Sequence, residues 1–132
     1  MDPITPEGKW PHLAPKDTRI YAVPDLHGHL EAHDQLYAVI EQEVAKAPKK
    51  RHVAVYLGDY IDRGPQSSQL LDRLIELKAR EDGPLEHVFL RGNHENGFLG
   101  FLEDPHGFSD WLRYGGVQAA KSYGVVVEED MK

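Results

Sequence analysis

The chain has 132 residues, a formal net charge of −7 and no cysteine. Its length suits one domain, and the missing cysteines exclude disulfide frameworks, thiolate zinc sites and cysteine-nucleophile chemistry. The acidic balance opposes a bare nucleic-acid backbone, though it allows phosphate substrates wherever bound cations reverse the local field. The first ten residues lack the basic-then-apolar pattern of a secretory signal, and no stretch reaches the roughly 18 apolar residues of a membrane span. The expectation is a soluble cytoplasmic protein with neither a nucleic acid nor a membrane as partner.

In chain order, residues 1–17 hold four prolines (Pro3, Pro6, Pro11 and Pro15) and read as an irregular arm before a domain over 18–132. Arg19 to Val23 reads as a short buried strand closed by Pro24. Leu30, Leu36, Tyr37, Ile40 and Val44 fall at helical spacing and predict a helix over Leu30 to Ala45. Pro48-Lys49-Lys50-Arg51 is a solvated basic turn. His52 to Leu57 predicts a second strand, and Leu70, Leu71, Leu74 and Leu77 mark a second helix from about Ser67 to Arg80. Gly83-Pro84 breaks the chain before a third strand, His87 to Leu90. Weaker helical pieces follow around Phe98–Leu102, Phe108–Tyr114 and Val117–Tyr123, and Val125-Val126-Val127 suggests a last strand. The fold class is therefore α/β, a β-α-β-α-β run with parallel strands. In such sheets ligands collect beyond the carboxyl ends of the strands.

Three polar clusters lie just past those strand ends. They are Asp25-Leu26-His27-Gly28-His29, Gly58-Asp59-Tyr60-Ile61-Asp62-Arg63-Gly64 and Arg91-Gly92-Asn93-His94-Glu95. Asp25, Asp59 and Asn93 are each 34 positions apart. One β-α-β unit thus separates each cluster from the next, and all three should meet at one sheet edge. Carboxylates and imidazole suit Mn, Fe or Zn. Asp25 and His27 can face one ion, Asp59 can bridge two, and Asn93 can offer an amide oxygen to the second. Two such ions activate water and neutralise phosphoryl oxygens. Arg63 can clamp a phosphate through two oxygens. His94 can protonate the departing alkoxide, with Asp62 holding its imidazole. Taken singly, each of these residues is an ordinary cap, turn former or surface group. Their combination at three successive strand ends is not ordinary. His12, His33, His52, His87 and His106 read as surface or structural, His29 as a cap for the following helix, and the Trp111 region as core packing.

The segments PDLHGH, GDYIDRG and RGNHE, in this order, resemble the first three motifs of the calcineurin-like metallophosphoesterases, and most closely those of bacterial serine/threonine phosphoprotein phosphatases. The likeness runs from about Arg19 to Val127. It implies half of a four-layer αββα sandwich and hydrolysis of phosphate esters by a metal-activated water, with no phosphoenzyme. It implies two divalent ions (Mn, Fe or Zn) held by Asp25, His27, Asp59 and Asn93, with His94 and Asp62 catalytic and Arg63 phosphate-binding. Asp62 tilts the substrate toward phosphomonoesters such as phosphoserine and phosphothreonine, because the related dinucleoside tetraphosphatases usually lack an acid there. Pro24 departs from the usual glycine of the phosphoprotein phosphatases. The C-terminal half, with two further histidine ligands, is absent, so the second metal site should be weak and one sheet face uncovered, inviting self-association. A non-catalytic metal-binding module or fragment needing a partner, and a dinucleoside polyphosphate hydrolase, are the alternatives.

Overall fold

A computed structural model describes residues 14–80 and 82–128. Strand β1 (Thr18–Val23) leads to helix α1 (Leu30–Lys46), β2 (Arg51–Tyr56), α2 (Ser67–Ala79), β3 (Leu85–Phe89) and α3 (Asn93–Glu103), and a short α4 (Val117–Ser122) follows. The sheet has order β1-β2-β3 and both pairings are parallel. Val23, Tyr56 and Phe89 stand level across it. That register makes the three polar clusters leave from one edge.

The sheet's two faces differ sharply. Helices α1 and α2 cover the face carrying Val23, Ala54, Tyr56 and Leu85, with Ile40, Val44, Leu70, Leu74 and Leu77 closing the core. Full burial of a leucine such as Leu70 stabilises by about 2 kcal/mol. Helix α1 stops at Lys46 because Ala47 precedes Pro48, whose ring disfavours the helical conformation before it. The opposite face carries Ile20 (51% exposed) and Val88 (41%), continued by Leu57 (49%) and Leu90 (47%). The uncovered face expected from the resemblance is therefore present among the described residues.

Buried polar groups in this core are paired, as low dielectric demands. His33 donates from Nδ1 to Asp34 (3.0 Å) and accepts at Nε2 from the Tyr56 hydroxyl (2.9 Å). His52 donates from Nε2 to the Ala47 carbonyl (2.7 Å) and accepts from Tyr21 (3.0 Å). His87 accepts from Tyr37 (2.9 Å). These three histidines are structural, while His106 is exposed and His12 lies outside the described residues.

Several expectations need correction. Val125–Val127 forms no strand. The Val125 N–H donates instead to the Ala120 carbonyl, which closes the end of α4, and Val127 packs against the Trp111 cluster. His29 occupies the position before α1, yet its ring donates from Nδ1 to the Leu26 carbonyl and caps no helical N–H. A cap must accept such a bond. The helical pieces over Phe108–Tyr114 and Val117–Tyr123 join through a kink at Leu112–Gly116, where Tyr114 (φ −89°, ψ 20°) and Gly115 (φ 106°, ψ 2°) leave helical geometry. Of the arm expected over 1–17, residues 1–13 lie outside the described residues, as do 129–132 of the domain.

Candidate metal and phosphate site

The turns after β1 and β2 are laced to each other by backbone bonds. The N–H groups of Leu26 and His27 both donate to the Asp59 carbonyl at 3.0 Å, Gly28 N–H donates to Tyr60 (2.7 Å), and Gly64 N–H donates to His27 (3.0 Å). Within this lacework His27 (φ 41°), Asp59 (φ 55°), Asp62 (φ 77°) and Arg63 (φ 68°) all adopt left-handed backbone. Such conformations are unfavourable for residues with a Cβ and persist only when the surroundings hold them. Four of the expected functional residues carry that strain together.

Glu95 ties the third turn to the second. Its carboxylate accepts from Asp59 N–H (2.6 Å), Tyr60 N–H (3.0 Å) and Gly92 N–H (3.0 Å). The last of these is the reach-back of a helix's third residue to the residue before the helix, here at the start of α3. Close approach explains two glycines. A Cβ on Gly58 would come within 2.7 Å of Gly92 Cα, and one on Gly92 would collide with the Asp59 carboxylate. The second and third turns touch backbone to backbone.

His27 donates from Nδ1 to the Ile61 carbonyl (2.8 Å), which leaves Nε2 as a bare donor atom. That outer bond is the kind that fixes the tautomer of a metal-bound imidazole. Donor atoms of His27, Asp59 and His94 lie within 4.8 Å of one another. Asp25, an exposed carboxylate, is 3.7 Å from His27 Nε2. Asn93 opens α3 and lines the adjoining cleft. So His27 and Asp59 stand at the centre of the converging donors, Asp25 stands beside them through His27, and Asn93 stands at the cleft. The oxygen and imidazole donors, with no thiolate, suit a hard-to-borderline divalent cation. The residues present fit such an ion.

His94 sits between the candidate cation donors and the adjoining cleft. Its N–H donates to Asp59 Oδ1 (3.0 Å), its ring stands edge-on to His27 with centroids 4.7 Å apart, and its Nδ1–H donates to Asp62 Oδ2 (2.8 Å). With Nδ1 committed, Nε2 is left to bind an ion or to exchange a proton. Asp62 is wholly buried, and its Oδ1 has no partner among the described residues. Burial pushes the Asp62 carboxyl above the usual range, while hydrogen bonds from His94 and Trp111 pull the other way. Ser67 Oγ accepts from Asp62 N–H (3.0 Å) and steadies the strained turn.

Arg63 is exposed and lines a cleft of about 550 Å³ with Asn93, His94, Phe108 and Tyr114. Its backbone N–H donates to the Gly115 carbonyl (3.1 Å). The sequence assigns no site role to two participants, Glu95 and Trp111, the second of which reads as core packing. Glu95 stood inside a quoted motif, where the helix-start pattern of a glutamate three residues after the boundary was the available signal. Trp111, which donates its indole N–H to Asp62 Oδ2 (2.7 Å), lies 49 positions from its partner, beyond any local pattern.

A model of the calcineurin-like phosphoesterase family matches residues 18–128. Over 84 residues the chain is 33% identical to the serine/threonine-protein phosphatase 6 catalytic subunit of Drosophila melanogaster, an overlap covering 64% of this chain and 25% of that protein. Over 87 residues it is 38% identical to the serine/threonine-protein phosphatase PP2A-like PPG1 of Candida albicans, covering 65% of this chain and 19% of that one. The chain thus spans about a quarter or less of the length of these curated relatives.

Proposed function

The chain belongs to the calcineurin-like phosphoesterase family, and from that premise we propose that its site hydrolyses phosphate monoesters, with phosphoserine and phosphothreonine of proteins as the substrate class. Its three-stranded parallel sheet with overlying helices is part of the family's α/β fold. The observation that carries the proposal is the Asp62–His94 bond lying directly beside the His27 and Asp59 donors. That juxtaposition puts a held imidazole next to a cation site.

In this reading Asp25, His27 and Asp59 would hold one divalent cation, and Asp59 and Asn93 would contribute to a second. Manganese is the ion we favour, with iron and zinc as substitutes. Bound there, the cations supply Lewis-acid activation of water and offset phosphoryl charge. The protein's own groups do the rest. Arg63 grips phosphate oxygens across the cleft, and His94 Nε2 gives a proton to the leaving oxygen as the ester P–O bond breaks. Asp62 keeps the imidazole aimed while it does so. The serine/threonine phosphatase relatives support a phosphorylated protein as substrate. Cytoplasmic residence suits a chain without cysteine, and no helix among the described residues is long and apolar enough to cross a membrane.

The uncovered sheet face also supports self-association. Ile20, Leu57, Val88 and Leu90 form an apolar face with no covering layer among the described residues, and a second copy is the occupant we propose. The function is tested by Mn-dependent turnover of a phosphoserine peptide and its loss in His94→Ala. Turnover kept at the wild-type rate in His94→Ala would overturn the assigned roles. One bound ion or none per chain, without turnover, would favour the non-catalytic module, and preference for a dinucleoside polyphosphate over the peptide would favour the other hydrolase.

A further inference from the structure

We propose that Trp111 is a positioning residue: its indole N–H fixes the Asp62 carboxylate in the orientation that presents His94 Nε2 to the leaving oxygen. The inference rests on the phosphomonoesterase reading above and adds a residue to it. A tryptophan serving only as core filler can satisfy its N–H on any nearby carbonyl. This one donates to a wholly buried carboxylate, and to the same oxygen that receives the His94 Nδ1 proton. Both donors meet on Oδ2, while Oδ1 has no partner among the described residues. Those side-chain hydrogen bonds thus reach the carboxylate from one side only, and removing the indole leaves it oriented by His94 alone.

The indole is itself held in place. Phe98 and Phe101 pack on it with ring centroids at 5.1 Å each. A Cβ on Gly97 would stand 3.1 Å from Cδ1, and one on Gly116 would stand 2.6 Å from Cε2, so two glycines bracket the ring. The kink that follows grips the neighbour of Asp62. Gly115 accepts from Arg63 N–H (3.1 Å), and its left-handed φ of 106° lets its backbone pass where a Cβ would lie 2.6 Å from Arg63 Cγ. Asp62 and Arg63, both in left-handed backbone, are thus clamped by one short segment from beyond α3. Precise support of this kind governs how well a reactive side chain keeps its aim.

The test compares Trp111→Phe, His94→Asn and a packing control in the core beneath α1, Val44→Ala, with Mn on phenyl phosphate and 4-nitrophenyl phosphate. Phenolate is the poorer leaving group and depends more on protonation. Trp111→Phe should lower kcat for phenyl phosphate about tenfold, with a smaller loss for the nitrophenyl ester and little change in KM. Val44→Ala should leave the ratio of the two rates at the wild-type value. Equal losses on both esters in Trp111→Phe would overturn the inference. If His94→Asn itself leaves that ratio unchanged, or if the chain turns over neither ester, the phosphomonoesterase reading fails first. The positioning claim is then decided by NMR alone. In the wild-type chain the Trp111 indole proton should resist solvent exchange, and in Trp111→Phe the His94 Nδ1 proton should exchange faster. A rapidly exchanging indole proton, or a His94 Nδ1 proton unchanged in the variant, would contradict it.

Discussion

His94 Nδ1 donates to Asp62 Oδ2 across 2.8 Å, inside a pocket where Asp62 has no solvent exposure. The pair links the candidate cation donors to the cleft lined by Arg63, since His94 also touches Asp59 through its backbone and lines that cleft. Asp62→Asn removes the acceptor's charge. With its amide oxygen in the place of Oδ2 it still accepts both N–H groups, but as a neutral and weaker acceptor, and a flipped amide sets N–H against N–H. Turnover of a phosphate ester with a poor leaving group should fall by roughly 10²–10⁴. The melting midpoint should move little, because burial already disfavours the ionised carboxyl. Steady-state kinetics beside a thermal melt check both halves of that statement.

Glu95 should matter more to folding than its partial exposure suggests. Three N–H groups from two separate turns converge on its carboxylate. Glu95→Ala strands them, and at about 1 kcal/mol or more for each buried donor left unpaired the loss should reach roughly 2–4 kcal/mol. Glu95→Gln keeps one acceptor oxygen and should lose less. Chemical denaturation of the three chains orders them wild type, Gln, Ala in falling stability. An alanine variant as stable as wild type would remove the buttress from the account.

The contact between Gly58 and Gly92 gives a sharper steric case. Gly58→Ala meets both an unfavourable φ of 102° and the backbone of Gly92. Left-handed backbone alone costs about 1–2 kcal/mol for a residue with a Cβ. Displacing the next turn adds to that, so a loss above roughly 2 kcal/mol is expected. Gly83→Ala, where an added Cβ meets nothing within 4 Å, is the neutral comparison.

Acid should weaken the fold through one buried and one half-buried imidazole. Burial holds the pKa of His33 below its ordinary 6.5, against the raising effect of its Asp34 bond, and burial lowers His87 likewise. The unfolded chain therefore binds these protons first. Stability is fully present above about 6.5 and is lost as pH falls through that value toward the folded pKa values. Denaturant midpoints should drop between pH 7.5 and 5.5. His87→Gln, which keeps an acceptor for Tyr37, should shrink the drop. The depressed carboxyls of Glu43 and Glu86 act only nearer their ordinary 4.5 and lie outside this window.

Much of the site could be read before any coordinates. Strand and helix periods placed the three strands and the first two helices to within about two residues, and level strand ends carried Asp25, Asp59 and Asn93 to one edge. The pairing of His94 with Asp62 was legible because the motif that holds each residue lies at a strand end. What could not be read arises from tertiary contact. The Trp111–Asp62 bond joins residues 49 apart, and the kink at Tyr114–Gly115 depends on meeting Arg63. Val125–Val127 had β-branched residues suited to a strand, yet the end of α4 took Val125's N–H first. Local preference lost to packing there.

The open face is tested by one charge. Val88→Lys places an ammonium among Ile20, Leu57 and Leu90, and the association state measured by light scattering at high concentration should fall toward monomer. An unchanged mass would show that this face does not pair copies of the chain.

Manganese titration by calorimetry, with wild type beside Asp59→Asn, addresses the cation site most directly. Wild type should bind at least one ion per chain, and Asp59→Asn should weaken binding by tenfold or more, on the order of 1.4 kcal/mol. No heat of binding in the wild type, or equal affinity in both chains, would contradict a cation centre built on Asp59.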